Sequence, residues 1–417
     1  MVKKINLCFL YILTFICIYQ PGVNNSALLY YSFYITVSVI MFLVLLFKKG
    51  KDFTAIIFNK QYVLLFIGIF LASLYFAMRA LLGYQETRIF QNLLIIYQII
   101  VVSMVIYILH ESFDFKLVAT FRFILNIGLI QAFFGGIMLV LPSLRQLALN
   151  LYYAGGPKNT FISGMRIYGI SSDYTFFTPI FHGILGIMAL NLAIKFSLKY
   201  LFYIPPFLLI ILLNGRTGLI VFLFGSMVSL LVYMVRDIHY FVRSVALIIV
   251  SIIGFSLVIV IIQTWAPLTF QWLQGGLRDG MNFLNGNETG NFAALTNSLI
   301  FPKGIYFIFG MGFRLYGGNA LHLGYLSSDI GYVNDIFMGG IVYAAILYFV
   351  IFRFIFKNMA LKGSNIYFFE RALNYSCIAT LIIGNFKGEV MRSGLILLTT
   401  AMIKFIFIIN LSDDIKD

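Results

Sequence analysis

Apolar stretches about as long as a lipid bilayer is thick recur from one end of this chain to the other. Hydrophobic residues make up 61% of its 417 residues and charged residues only 11%, which leaves too little polar surface for a soluble protein of this size. Each stretch is expected to be helical, because lipid offers no hydrogen-bonding partner to an open peptide group. The sequence therefore predicts an all-α, polytopic integral membrane protein.

The length and spacing of these stretches predict about twelve transmembrane helices. They lie at roughly residues 5–20, 27–47, 61–82, 90–110, 117–141, 175–195, 199–213, 217–235, 241–264, 331–356, 367–385 and 391–411. Residues 1–264 form an N-terminal bundle of about nine of them, and residues 331–417 contain the last ones. Residues 265–330 between them form a large loop with re-entrant or amphipathic pieces, and a shorter Lys-rich loop is predicted at residues 48–60.

The positive charges are distributed unevenly between the two sides of the predicted membrane protein. Placing both termini in the cytoplasm gives the cytoplasmic loops most of the Lys and Arg residues, as is usual for such loops, and puts the large loop on the outer face. The net charge of +14 is spread over membrane-flanking loops, so it does not indicate nucleic-acid binding.

Arginine predominates among the outer cations, whereas lysine predominates among the cytoplasmic ones. A planar guanidinium group holds phosphate or carboxylate through two parallel hydrogen bonds, which an ammonium group does not. The outer arginines therefore indicate an anionic ligand on that face. For any single arginine, contact with lipid headgroups is an equally good interpretation.

Two outer segments place an arginine next to the start of a predicted helix. Arg166 and Asp173 lie at the mouth of the segment that begins near residue 175, where they either face a common cavity or pair with each other. Asn214 to Leu219 forms a tight turn between two apolar runs, and its amide groups and Arg216 favour an anion at the start of the next helix. Thr217 is placed to cap that helix. The alternative is a structural hairpin whose arginine reaches toward the headgroups.

The large loop carries many of the remaining ionisable side chains. It and the segment that follows contain Arg278, Asp279, Glu288, Lys303, Arg314, His322, Asp329 and Asp335. Trp265 and Trp272 suit either the headgroup level or stacking on a sugar. Residues 301–313 are apolar but interrupted by glycines, which predicts a surface-lying or re-entrant piece. His182, inside a predicted helix, is expected to be a hydrogen-bonded packing residue.

The sequence has no phosphate-loop motif of the G-x-x-x-x-G-K-[ST] type, no H-E-x-x-H zinc motif and no cysteine cluster. The sequence also has no internal repeat, which weakens a transporter interpretation because many transporter folds consist of two similar halves.

Three short motifs, in their order along a chain of many apolar segments, carry a family resemblance. They are R-x-Y-G at Arg166 to Gly169, N-G-R-T-G-L at Asn214 to Leu219, and G-M-G-x-x-x-Y-G followed by S-D-I-G-Y-V-N-x-x-x-x-G-G between Gly310 and Gly340. With the large late loop, this pattern resembles the O-antigen polymerases (Wzy), which are related to the O-antigen ligases. The ligases characteristically have a His shortly before the last helices. Here Ser327, Ser328 and Asp329 lie there, which favours a polymerase.

The resemblance implies a GT-C-like glycosyltransferase architecture in the bacterial inner membrane. It implies transfer of a growing glycan from undecaprenyl diphosphate to the non-reducing end of a new lipid-linked repeat unit at the periplasmic face. Membrane lipid and a polysaccharide chain-length regulator are implied as partners, and neither a cofactor nor a metal is expected. The alternatives are an O-antigen ligase that transfers glycan to lipid A core, and a flippase or transporter for the same lipid-linked glycan.

The residues of this chain can be assigned roles in that reaction. Outer arginines would neutralise the diphosphate leaving group as negative charge develops on it, and a carboxylate or imidazole would accept the proton of the acceptor hydroxyl. Asp329 is the first choice of general base, followed by His322 or Asp173. The predicted contacts to diphosphate or glycan are Arg166, Arg216, Arg278, Arg314, Tyr168 and Tyr332.

Overall fold

A computed structural model describes residues 2–21, 28–81, 89–152, 166–167, 169–171, 176–235, 238–287, 290–315, 327–364, 366–391 and 395–412. Within these ranges the chain is helical and contains no strand. The α-helices are α1 (Val2–Tyr19), α2 (Leu28–Ile57), α3 (Lys60–Leu81), α4 (Ile89–Phe113), α5 (Leu117–Val140), α6 (Pro142–Tyr152), α7 (Phe177–Lys195), α8 (Ile204–Asn214), α9 (Arg216–Met234), α10 (Ile238–Trp265), α11 (Pro267–Leu284), α12 (Gly290–Asn297), α13 (Ile305–Phe309), α14 (Gly331–Phe356), α15 (Tyr367–Gly384) and α16 (Leu395–Ser412).

Six helices in the described ranges are long and apolar enough to cross a membrane. They are Lys60–Arg79, Asn92–Phe113, Leu117–Val140, Phe177–Lys195, Arg216–Met234 and Gly331–Phe356. Large apolar side chains such as Phe70, Leu223 and Phe349 are exposed on their surfaces, as expected where lipid replaces water. The prediction of an all-helical membrane protein is therefore confirmed.

Helix α7 is the centre of the bundle. Every residue from Thr178 to Ile194 is buried, and α5, α8, α9, α15 and α16 all pack against it. A helix that is apolar on all sides suits the centre of a bundle, where other helices surround it. His182 is buried in it, with Nδ1 donating to Thr178 O (2.8 Å) and Tyr19 Oη within 3.2 Å of Nε2. This is the expected packing role.

Two predicted segments differ from the observed helices. Residues 48–60 are not a loop, since α2 continues through three lysines to Ile57. Lysine is a good helix former, and Lys49 forms an ion pair with Glu111 of α4 (3.1 Å). Residues 199–213 are not one helix, because a 3₁₀ turn at Leu198–Tyr203 precedes α8. Two prolines then occupy the first turn of α8, where a missing N–H costs least.

Helix α14 is interrupted where the segment around α13 packs against it. Gly340 has φ 69°, so the helix is broken there. The open carbonyl groups of Phe337 and Met338 accept hydrogen bonds from the backbone N–H groups of Met311 (2.6 Å) and Gly312 (3.1 Å). A Cβ at Gly340 would lie 2.2 Å from Ile308 O, so only glycine fits at this crossing. All five residues of α13 expose apolar side chains.

A buried ion pair joins the end of α14 to α15 and α16. Lys404 Nζ lies 3.1 Å from Glu370 Oε1, and both side chains are almost completely buried. Glu370 also accepts the backbone N–H groups of Met359 (2.8 Å) and Ala360 (2.8 Å), while Lys404 donates to Lys357 O. The two charges compensate each other, and their hydrogen bonds attach the segment after α14 to α15 and α16.

Candidate functional site

Arg166 and Arg216 are brought together by the end of α8. Ile167 N donates to Leu213 O (3.1 Å), and Asn214 Nδ2 donates to Ile167 O (3.0 Å), so the segment with Arg166 lies along the turn before α9. Arg216 is the first residue of α9. Its N-cap is Gly215 and no side-chain cap is present, so the expected cap at Thr217 is wrong.

The two guanidinium groups lie against the same indole ring. The Cζ atom of Arg216 is 4.5 Å from the ring centroid of Trp272, and that of Arg166 is 5.2 Å from it. Indole attracts cations through its π face, so Trp272 stabilises two positive charges at one place. We call these three residues the arginine–tryptophan cluster. Arg145 of α6 helps to position Arg166, because its Nη2 donates a hydrogen bond to Arg166 O (2.9 Å).

Helix α11 is oriented toward Arg216 by three residues one turn apart. Trp272, Gly276 and Asp279 lie at spacings of four and three residues, so they share one face of the helix. Gly276 has no side chain where Arg216 passes, and a Cβ built there would lie only 1.2 Å from Arg216 Nη1. Asp279 is close enough to act electrostatically on Arg216. This spacing is the signal in the sequence that could have located the cluster.

A second polar group surrounds the start of α14. Arg314 Nη1 lies 3.5 Å from Glu389 Oε1, and both side chains are largely buried. Glu389 was not among the residues assigned a role from sequence. Arg79 at the end of α3 donates from Nη2 to Gly310 O (2.8 Å), just before this segment. Arg314 therefore belongs to a different group from Arg166 and Arg216.

Asp335 is the buried carboxylate of this second group. Tyr348 Oη donates to Asp335 Oδ2 (2.6 Å), and Asn385 Nδ2 donates to Tyr348 Oη (2.9 Å). Tyr332 packs edge-on against Tyr348 with ring centroids 6.0 Å apart, and its hydroxyl donates to Ile382 O (2.8 Å). Tyr348 and Tyr332 are half-buried and lie next to the buried carboxylate.

The other predicted residues lie outside both groups. Asp329 is exposed and pairs with exposed Lys387 (3.3 Å). Arg278 is exposed on α11, on a side of the helix different from that of Gly276. Tyr168, Asp173 and His322 lie outside the described residues.

The first turns of α7 separate the two polar groups. On one side, a Cβ on Gly388 would lie 2.3 Å from Phe176 Cε1, next to Glu389. On the other side, a Cβ on Gly218 would lie 2.3 Å from Pro179 O, close to Arg216. Both groups are therefore at the same end of the bundle, which we call the arginine end.

Comparisons with known protein families, with curated proteins and with solved structures found no match for this chain. Within the described ranges, no three His, Cys, Asp or Glu side chains are grouped so that they could hold a metal ion.

Proposed function

We propose that this chain is a lipid-linked oligosaccharide polymerase of the O-antigen type, in the bacterial inner membrane. It would have a GT-C-like architecture with about twelve membrane-crossing helices and cytoplasmic termini. The arginine end would face the periplasm. The observation that carries the proposal is the arginine–tryptophan cluster, because two guanidinium groups beside an aromatic ring at the edge of a membrane bundle suit a diphosphate attached to a lipid.

In the proposed reaction, the acceptor sugar hydroxyl attacks the anomeric carbon of the donor glycan. The bond between that carbon and the diphosphate oxygen breaks, and its electron pair leaves with undecaprenyl diphosphate. Arg166 and Arg216 would stabilise the charge that develops on this leaving group. The hydroxyl proton would pass to a base, for which Asp329 is the accessible choice among the described residues. Neither metal nor nucleotide takes part in this scheme.

The other predicted contacts have weaker support from their surroundings. Arg314 is engaged with Glu389 and Arg278 is exposed away from Arg216, so each would have to reach the glycan or a second lipid rather than the same diphosphate. Tyr332 is half-buried and packs on Tyr348 and Phe386, so we propose that it contacts a prenyl chain rather than the diphosphate or glycan assigned to it from sequence.

Lysine at either position of the cluster is expected to weaken polymerisation without abolishing it. Arg216→Lys and Arg166→Lys keep the positive charge but lose the planar donor pair, a loss of ~1.5 kcal/mol for one charged hydrogen bond, which is about tenfold in activity. The measurement is the length of the O-antigen ladder in a complemented deletion strain, at equal protein level. Arg353→Lys, at the opposite end of α14, is the matched control. Ladders identical to the control would contradict the role of the cluster, and a normal ladder in Asp329→Asn would exclude that base.

A polyprenyl diphosphate is expected to change the emission of Trp272. The chain has two tryptophans, so Trp265→Phe leaves Trp272 as the single reporter. Binding of geranylgeranyl diphosphate would draw the guanidinium groups away from the indole ring, since phosphate is the stronger partner. We expect a saturable change in fluorescence that Arg216→Lys reduces. The same response in a Trp272→Phe protein, which retains only Trp265, would show that the ligand does not bind at the cluster.

One observation favours a flippase as the second candidate. Helix α14 is broken at Gly340, with Asp335 buried beside the break, and interrupted helices with buried ionisable groups are common in transporters. Gel analysis of the deletion strain distinguishes the functions. Loss of a polymerase leaves core with a single repeat unit, whereas loss of a ligase or a flippase leaves bare core. In the flippase case the lipid-linked units accumulate on the cytoplasmic leaflet, and in the ligase case on the periplasmic leaflet.

A further inference from the structure

Helix α11 has three distinct faces. One face, with Trp272, Gly276 and Asp279, lies toward Arg216. A second face is polar and exposed, and it consists of Gln271, Gln274, Gly275 and Arg278. The third face is apolar and consists of Leu273, Leu277, Met281 and Leu284. The helix therefore has one side for the bundle, one for water and one for an apolar environment.

The apolar face is uncovered beyond its first residue. Leu273 is buried against the bundle, but Leu277 is 69% exposed, Met281 59% and Leu284 84%. Three large apolar side chains in a row on one helix face are unusual on a surface that meets only water. Their exposure indicates an apolar partner for this face.

The position of α11 in the chain identifies that partner. Helix α10 precedes it and exposes Leu257, Val260 and Ile261 along the bundle surface, and such side chains on a membrane helix contact acyl chains. Trp265 ends α10 and is 57% exposed, as is usual for tryptophan at the headgroup level. Helix α11 begins two residues later and packs on α10, so its exposed apolar residues follow those of α10 along the chain.

We propose that α11 is an interfacial membrane helix. It lies in the leaflet at the arginine end, with Leu277, Met281 and Leu284 among the acyl chains and Arg278 at the phosphate groups of the phospholipids. Phospholipid, rather than a second protein chain, covers its apolar face. This inference stands on the exposure and order of the residues and does not depend on the glycan transfer proposed above.

The position of α11 also sets the depth of the arginine–tryptophan cluster in the membrane. The third face of α11 adjoins the face that carries Trp272, so a helix lying in the headgroup region holds Arg166 and Arg216 at that depth too. A ligand with its phosphate groups attached to a lipid would then reach the cluster by lateral diffusion within the leaflet. A water-soluble phosphate would have to enter from the side of Gln271 and Arg278.

Spin labels on two faces of α11 test the proposal in the full-length protein. In a Cys8→Ser background, which removes the exposed native thiol, Leu277→Cys and Gln271→Cys are labelled with a nitroxide. The proteins are reconstituted in vesicles of phosphatidylethanolamine and phosphatidylglycerol. Collision rates are measured with oxygen, which concentrates in lipid, and with a water-soluble nickel chelate.

The two labels are expected to respond in opposite ways. The label at residue 277 should collide more with oxygen than with the chelate, and the label at residue 271 more with the chelate. Equal access of the chelate to both labels would overturn the proposal, because the apolar face would then lie in water. A label at residue 277 that is protected from both reagents and shows dipolar broadening would also overturn it, since a second copy of the chain would then cover this face. A Met281→Cys label provides an independent reading of the same face if the Leu277→Cys protein is poorly folded.

Discussion

Replacing Lys404 with methionine is expected to destabilise the protein more than any other single substitution of a charged residue described above. Methionine has a similar length, so packing is largely preserved, but the Glu370 carboxylate loses its counter-ion while remaining buried. Removal of one partner from a buried ion pair typically costs ~3–5 kcal/mol, because the remaining charge is left uncompensated. Thermal unfolding of the purified protein in a fixed detergent measures the loss.

The chain provides a matched control for this prediction. Lys49 and Glu111 have the same nitrogen–oxygen distance of 3.1 Å, but both are exposed, so Lys49→Met is expected to cost at most ~1 kcal/mol. The double change Glu370→Gln with Lys404→Met removes both charges and should recover most of the stability lost in the single variant. If Lys404→Met unfolds at the same temperature as Lys49→Met, the pair does not hold α14, α15 and α16 together.

Gly276→Ala is expected to abolish most ligand binding at the arginine–tryptophan cluster while leaving the fold intact. The new methyl group would overlap Arg216, with its Cβ 1.2 Å from Nη1 and 2.3 Å from Cζ. The flexible arginine side chain must therefore leave its place over Trp272. A displacement of about 1 Å in such a group can cost about 100-fold in activity. The O-antigen ladder and the response of Trp272 emission to geranylgeranyl diphosphate measure the effect.

The neighbouring glycine is the control. A Cβ on Gly275 would meet no atom within 4 Å, so Gly275→Ala should behave as the unaltered protein in both assays. Both substitutions increase helix propensity by the same amount, and a difference between them therefore reports the contact with Arg216 alone. Equal activity of the two variants would show that the position of Arg216 over the ring is not needed.

The helices of this protein could be predicted closely because their cause is local. Long apolar segments must form helices in lipid, and α3, α5 and α14 begin and end within one residue of the predicted segments 61–82, 117–141 and 331–356. The predicted helix bounds were wrong where a contact between distant residues, rather than the apolar pattern, sets the end of the helix. Helix α2 extends through its lysines because Lys49 forms an ion pair with Glu111 on a different helix. Such pairs between distant residues give no periodic pattern in a single sequence.

The candidate site could be predicted only in part, for a related reason. The sequence analysis placed Arg166 and Arg216 on one face of the predicted bundle, and these two arginines do meet at Trp272. It could not show that Arg314 pairs with Glu389, because those residues are joined only by tertiary packing. Asp335 was recognised as ionisable, but its burial beside Tyr348 depends on the contact between α14 and the turn after α15.

The hydrogen bonds that Met311 and Gly312 make with the interrupted part of α14 also impose an order on biosynthesis. Phe337 O and Met338 O accept hydrogen bonds from a segment more than twenty residues earlier in the chain, next to the break of their own helix at Gly340. If α14 entered the lipid before that earlier segment was in place, these two carbonyl groups would lack those partners, and lipid offers no others. The translocation machinery would therefore have to retain the emerging α13 segment beside the growing protein until its partner helix is inserted.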